Sequence, residues 1–295
     1  MQNLMPRIHL FAVVMAILAA LGVFGGRANA ADRMTVTVTG KGPDVVLIPG
    51  LASSAAVWDG TVRQLSTSHR VHVIQVAGFA GAPVAGNAEG PVVEPLVEAV
   101  DAYIKANHLK APAIIGHSMG GFTGLLLAQR HPEDVGRLLI VDSLPFFSLL
   151  FSPTTTAESI KPQAAAMRDA TVAMSAEAFA SQQAMAAPRY VKSPEGQALM
   201  LAWSKASSQS VVGRAMYDLL TTDARPGLAA IKAPTTLLFP YDPAVGAPVA
   251  MIEKIYADAY AGLPGVTLKR VDDSRHFIML DQPKAFAEAV ETFLH

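Results

Sequence analysis

Short β-branched runs alternate with helical segments along most of this chain, and the alternation stops for about 85 residues before resuming, too long a gap for an ordinary connection. Met34–Thr39 alternates threonine with apolar residues, as a half-buried strand does. Asp44–Ile48 is a continuous apolar run closed by Pro49-Gly50, the pattern of a strand covered on both faces. Val71–Val76, Pro112–Ile115 and Leu138–Val141 read as further strands, with helical spacing over Val92–His108 and Met119–Arg130. Between Pro145 and Lys232 the pattern is helical only. The stretches Ala164–Met174, Ala176–Ala186, Glu195–Ser207 and Val211–Leu220 are punctuated by Pro153, Pro162, Pro188 and Pro194. Strand Thr235–Phe239, helix Pro248–Tyr260, strand Val266–Val271 and helix Pro283–Leu294 complete the chain. Strands alternating with helices predict an α/β fold with a mostly parallel, doubly wound sheet. The expected core is 31–144 with 233–295, and 145–232 is a helical lid set between them.

The first thirty residues stand apart from that pattern. Arg7 and His9 precede the apolar run Leu10–Phe24, and Ala28-Asn29-Ala30 offers a small-x-small cleavage site. These are the parts of a secretory signal peptide, and the apolar run falls short of the roughly 20 residues that span a bilayer. Residues 1–30 are therefore read as a cleaved leader, which makes the protein periplasmic or secreted, with no stable membrane span afterwards. Removing Arg7 and Arg27 with the leader takes the formal charge from −1 to about −3. Such a balance gives no electrostatic footprint for nucleic acid or an anionic membrane. There is no cysteine, which removes thiol nucleophiles, thiolate metal sites and disulfides, so the core alone must hold the exported chain. The eight histidines include no pair spaced for one helix face, and neither a metal nor another cofactor is expected.

The chemistry is concentrated at Gly116-His117-Ser118-Met119-Gly120-Gly121, a Gly-x-Ser-x-Gly motif between a strand and a helix. A serine at a tight strand-to-helix turn needs small neighbours, because side chains at the flanking positions would collide with adjacent elements. The helix that follows points its N-terminus at the hydroxyl and favours developing negative charge there. Beside this stand three further segments: Pro49-Gly50-Leu51-Ala52-Ser53-Ser54 with Trp58, Arg137–Ser143, and Ser274-Arg275-His276-Phe277.

Together these segments resemble the α/β-hydrolase family over nearly the whole length after the leader. The elbow at 116–121 matches that family's nucleophile motif fully, whereas the oxyanion loop opens on Pro49 where relatives usually carry histidine. The resemblance implies a nucleophile, acid and base in the chain order Ser, acid, His, with Ser118 as nucleophile and His276 as general base. It favours Asp242, after strand Thr235–Phe239, as the acid that orients His276. Asp142, at the end of the preceding strand, is the rival, because some relatives keep their acid there. The loop before Asp242 is one residue shorter than usual. Backbone N–H groups of Leu51 and Met119 would hold the oxyanion. His117 reads as a structural side chain pointing into the fold, and Trp58 as packing beneath the oxyanion loop. Asp272 and Asp273 lie too near His276 in sequence to reach behind its ring.

A lid over the strand ends would bring Phe146, Phe147, Leu149, Leu150, Phe151 and several methionines near the site, most of them as the lid's own core. An apolar pocket favours an ester with an apolar acyl or alcohol part, so a carboxylesterase acting on a small-molecule ester is the leading expectation. Serine at the elbow argues against the dehalogenase and epoxide-hydrolase branches, which use aspartate. Lactone opening, C–C bond hydrolysis, proline iminopeptidase action and perhydrolysis use the same triad. A non-catalytic small-molecule binding protein would show a damaged triad, and a membrane-tethered interaction protein would keep residues 1–30.

Overall fold

The computed structural model describes residues 32–295, and the leader expected over 1–30 lies outside the described residues. The apolar runs form seven strands: β1 Met34–Thr39, β2 Asp44–Ile48, β3 Arg70–Val76, β4 Ala113–His117, β5 Arg137–Val141, β6 Thr235–Tyr241 and β7 Thr267–Asp272. They lie in one sheet in the order β1-β3-β2-β4-β5-β6-β7. Only β1 is antiparallel, paired with β3, and every other neighbouring pair is parallel. Val45–Ile48, Ile114, Ile115 and Leu138–Val141 are fully buried, which is why these segments carry no polar alternation.

The helices are α1 Asp59–Leu65, α2 Val93–Ala106, α3 Met119–Arg130, α4 Ala157–Ala173, α5 Ala176–Tyr190, α6 Pro194–Ala206, α7 Gln209–Thr221, α8 Val249–Ala259, α9 Ile278–Asp281 and α10 Pro283–Leu294. Two apolar clusters cover the two faces of the sheet. Val100, Ile104, Phe122, Leu125 and Leu138 belong to one, and Trp58, Ile115, Leu139, Phe286 and Val290 to the other. Trp58 is fully buried with its ring stacked on Phe286, 6.1 Å between centroids, so it is the packing residue the sequence suggested.

Between β5 and β6 lie helices α4–α7 and no strand. Two of the prolines read as breaks lie inside helices: Pro162 in α4 and Pro188 in α5. Proline frees the carbonyl four residues earlier from its helical bond. Here those carbonyls belong to Glu158 and Ala184, both exposed residues, where the loss of a helical partner costs least. The helix starts are well marked. Thr156 and Ser159 form a reciprocal capping box on α4, and Ser175, Ser193 and Ser208 cap α5, α6 and α7.

Strand register then determines where the chemistry gathers. Parallel pairing of β2, β4, β5 and β6 brings their C-terminal ends to one edge of the sheet. The residues just beyond those ends are Pro49–Ser53, Ser118, Asp142 and Asp242, so residues far apart in sequence become neighbours.

Candidate active site

Ser118 sits between β4 and α3 with φ +53 and ψ −119, a left-handed conformation rare for a residue with a side chain. Its N–H donates to the Val141 carbonyl at 2.9 Å, and its carbonyl accepts from Phe122. Strain of this kind persists only where surrounding contacts hold it. The glycines make it possible. A Cβ on Gly116 would lie 2.2 Å from the Gly120 carbonyl oxygen, and one on Gly120 would lie 2.1 Å from the Ile48 oxygen. Both clashes are with backbone, which cannot swing aside. Gly120→Ala is therefore expected to cost about 3 kcal/mol or more and to lower Tm by roughly 10 °C in a thermal melt.

His276 follows β7 and shares a cavity with Ser118. Its Nδ1 lies 2.6 Å from Asp142 Oδ2. The carboxylate behind the histidine is thus Asp142 and not Asp242, which the family pattern favoured. Asp142 directly follows β5, with φ +44, and its N–H is fixed on the Leu238 carbonyl at 2.8 Å. Its other oxygen, Oδ1, accepts from the Tyr256 hydroxyl. Burial, with the Asp142 charge beside it, pushes the Tyr256 phenol well above its ordinary value, so it stays a neutral donor.

Asp242 is drawn off by neighbouring cations. Its Oδ2 accepts from Arg275 Nε at 2.8 Å and faces Lys192 Nζ at 3.8 Å, and Oδ1 accepts from the Ala244 N–H at 3.0 Å. Burial works to raise its pKa, but the Ala244 N–H and the Arg275 guanidinium outweigh it and hold the carboxyl below its usual range. A depressed carboxylate contributes stability above its unfolded value of about 3.9 and loses it as pH falls through the folded value. Wild-type protein should accordingly lose Tm more steeply below about pH 4 than Asp242→Asn does, a comparison read from melts across an acid series.

The remaining predicted residues fall as follows. Leu51 lies in the turn after β2 and lines the cavity, and Met119 opens α3, fully buried. Among the described residues, neither backbone N–H donates to a backbone carbonyl, which leaves both available to an incoming oxygen. The next residue, Ala52, also has positive φ, +54, so the loop turns sharply at this point. His117 is fully buried; its Nε2 lies 3.0 Å from the His276 carbonyl oxygen, and the two imidazoles are 4.5 Å apart. Burial, aided by the nearby His276, pushes His117 well below the usual imidazole value despite that bond, so it remains neutral. Asp272 and Asp273 are exposed and pair with Arg270 and Lys192.

The cavity is about 680 Å³ and chiefly apolar, with Phe147, Met167, Phe179, Met200, Val212 and Leu219 in its wall. The aromatic and methionine residues of the insertion divide between roles. Phe146 is buried core, Met167 and Met200 line the cavity, and Met185 is exposed. Away from this site, Glu98, Asp101 and His131 come within reach of one ion. Sequence spacing does not mark this cluster, because both acids lie on α2 whereas His131 follows α3. Its imidazole spans both carboxylates, Nε2 at 3.1 Å from Glu98 and Nδ1 at 3.5 Å from Asp101. Arg130 pairs with Glu98 and Lys105 with Asp101, which makes the cluster an ion-pair network joining α2 to the end of α3.

A sequence model of the alpha/beta hydrolase family matches residues 45–289. A pimeloyl-acyl-carrier-protein methyl ester esterase of Aromatoleum aromaticum is 28% identical over 262 residues, covering 84% of this chain and 97% of its own. The enzyme of that name from Aeromonas hydrophila is 38% identical over 117 residues, 39% of this chain, and the match spans only 44% of that relative's length. Among solved structures, an enol-lactonase from Burkholderia xenovorans has a TM-score of 0.70 at 19% identity, covering 88% of this chain and 96% of its own. A thermophilic esterase from Thermogutta terrifontis has a TM-score of 0.73 at 18% identity, covering 88% and 92%.

Proposed function

The chain belongs to the α/β-hydrolase family, and on that premise we propose that it is an exported serine hydrolase cleaving a small or apolar carboxylic ester through an acyl-enzyme. The observation that carries this reading is the convergence of a strained Ser118 and the His276–Asp142 pair on one apolar cavity. The Asp142 carboxylate receives the Nδ1 proton of His276 as a hydrogen bond, which commits the ring to the tautomer with a basic Nε2. That nitrogen takes the Ser118 proton as Oγ attacks the ester carbonyl. The N–H groups of Leu51 and Met119 hold the resulting oxyanion, and His276 then returns the proton to the departing alcohol. Water repeats the sequence on the acyl-enzyme and frees the acid and Ser118.

Substrate preference follows from the wall of the cavity. Phe147, Met167 and Phe179 offer hydrocarbon and flexible thioether to an acyl chain. The 680 Å³ volume is within the range of cavities that enclose a drug-sized ligand. Methyl esters head the named activities of the sequence relatives, and a lactone is an ester closed on itself that the same steps would open. The test is a panel of p-nitrophenyl esters of increasing acyl length, with a methyl ester and a γ-lactone as further arms. Rising kcat/KM from acetate toward medium chains supports an apolar acyl pocket. Absence of turnover on every arm would remove the esterase reading. Helical segments 145–232 act in this reading as a lid over the strand ends. Export rests on the pattern of residues 1–30, and the mass of the protein recovered from outside the cytoplasm, beginning near Ala31, is its check.

A further inference from the structure

Helix α8 carries Tyr256 in its last turns, Tyr260 caps its C-terminus, and both hydroxyls reach back to the end of β5. The Tyr256 hydroxyl donates to Asp142 Oδ1, and Tyr260 donates to the Ser143 carbonyl at 3.0 Å. Spaced four residues apart, the two hydroxyls hold consecutive residues of one loop from the C-terminal end of α8. The Tyr256 ring is held in turn by stacking on Phe239 of β6, centroids 4.6 Å apart at 27°. Asp142 then has each oxygen engaged by a different element: Oδ2 by His276 after β7, and Oδ1 by Tyr256 of α8.

Two free rotations would otherwise let this carboxylate drift. Asp142 follows β5 directly, and its own backbone fixes only its Cα, through the N–H bond to Leu238. A carboxylate bonded through Oδ2 alone could still turn about its side-chain torsions and carry the imidazole with it. The phenol removes that freedom at the cost of no charge. We infer that Tyr256 is a positioning residue for the reaction, holding the Asp142 carboxylate so that His276 presents Nε2 toward Ser118. This inference rests on the triad reading given above for Ser118, His276 and Asp142.

The test is Tyr256→Phe, which deletes one oxygen and keeps the ring on Phe239, with turnover normalised to the folded fraction read by near-ultraviolet circular dichroism. The loosened carboxylate should lower kcat roughly ten- to a hundredfold with KM within about twofold, the size of a lost hydrogen bond to a charged group. Tyr260→Phe breaks the companion bond to a backbone carbonyl and should change Tm while leaving kcat within about threefold. The decisive arm is a cycle with Asp142→Asn. If Tyr256 acts through Asp142, adding Tyr256→Phe to Asp142→Asn should lower kcat by less than about twofold further. Losses that multiply, or a Tyr256→Phe enzyme with wild-type kcat beside a crippled Asp142→Asn, would overturn the inference and leave the triad standing. An Asp142→Asn enzyme with wild-type kcat would instead overturn the triad reading, and this inference with it.

Discussion

Ser118→Ala is expected to lower kcat on p-nitrophenyl esters by about six orders of magnitude while leaving KM within a fewfold. The size of the loss reflects how the three groups act together. On the proposed mechanism, removing the nucleophile leaves the oxyanion donors and the apolar cavity in place, so an ester would still bind and still meet the N–H groups of Leu51 and Met119. What vanishes is the covalent route, and with it any use for the proton-accepting nitrogen of His276. Stability should move in the other direction. Alanine deletes only the hydroxyl of a buried serine, while the left-handed backbone at φ +53 stays strained for either residue. A Tm equal to or slightly above wild type beside abolished turnover would be the signature. A variant that retains even a tenth of wild-type kcat would mean that another group attacks the carbonyl.

The elbow around Ser118 was legible because its requirements are local. Gly116 and Gly120 are demanded by backbone oxygens within a few residues or on the adjacent strand, and no side chain could stand there. The strands were legible for a related reason. A run such as Asp44–Ile48 is buried on both faces, so its composition alone marks it, and the observed bounds agree. The insertion was less so. Pro162 and Pro188 read as breaks, but both sit on the wet side of their helices, where a freed carbonyl costs little. Which side of a helix faces water is a tertiary fact. Helix α1, Asp59–Leu65, escaped notice because its short span buries only Thr61 and Leu65.

The carboxylate that pairs with His276 was the least legible member of the candidate site. β5 and β6 are parallel neighbours, with Val141 opposite Leu238, so Asp142 and Asp242 both leave the sheet along the same edge. Residue type and position after a strand describe both equally well. The difference comes from a third residue. Arg275, immediately before His276, donates to Asp242 Oδ2 at 2.8 Å, while His276 Nδ1 is paired with Asp142. A cation adjacent in sequence to the base, and a tyrosine on α8 able to fill the second oxygen of Asp142, are the signals that separate the two. Neither can be weighed until the helices are placed.

Two substitutions of equal chemistry should therefore give opposite phenotypes. Asp142→Asn keeps the size of the side chain but replaces an oxygen that accepts from His276 Nδ1 with a group that can donate. If the amide turns its NH₂ toward the ring, Nδ1 must become the acceptor and Nε2 the proton carrier, the wrong tautomer for abstracting the Ser118 proton. The loss of negative charge also removes support for the imidazolium that forms during attack. A fall in kcat of about four orders of magnitude is expected, with KM and Tm little changed. Asp242→Asn leaves the His276–Asp142 pair untouched and breaks the charge balance of Arg275 and Lys192 at a site only 5% exposed. It should cost about 1–3 kcal/mol of stability, because Arg275 loses a charged partner at low exposure, yet keep kcat within roughly tenfold. Steady-state kinetics and melts of both variants read the two axes separately. A crippled Asp242→Asn beside an active Asp142→Asn would reverse the roles. That would require Arg275 to release Asp242 and His276 to turn from one strand end to the next once substrate binds.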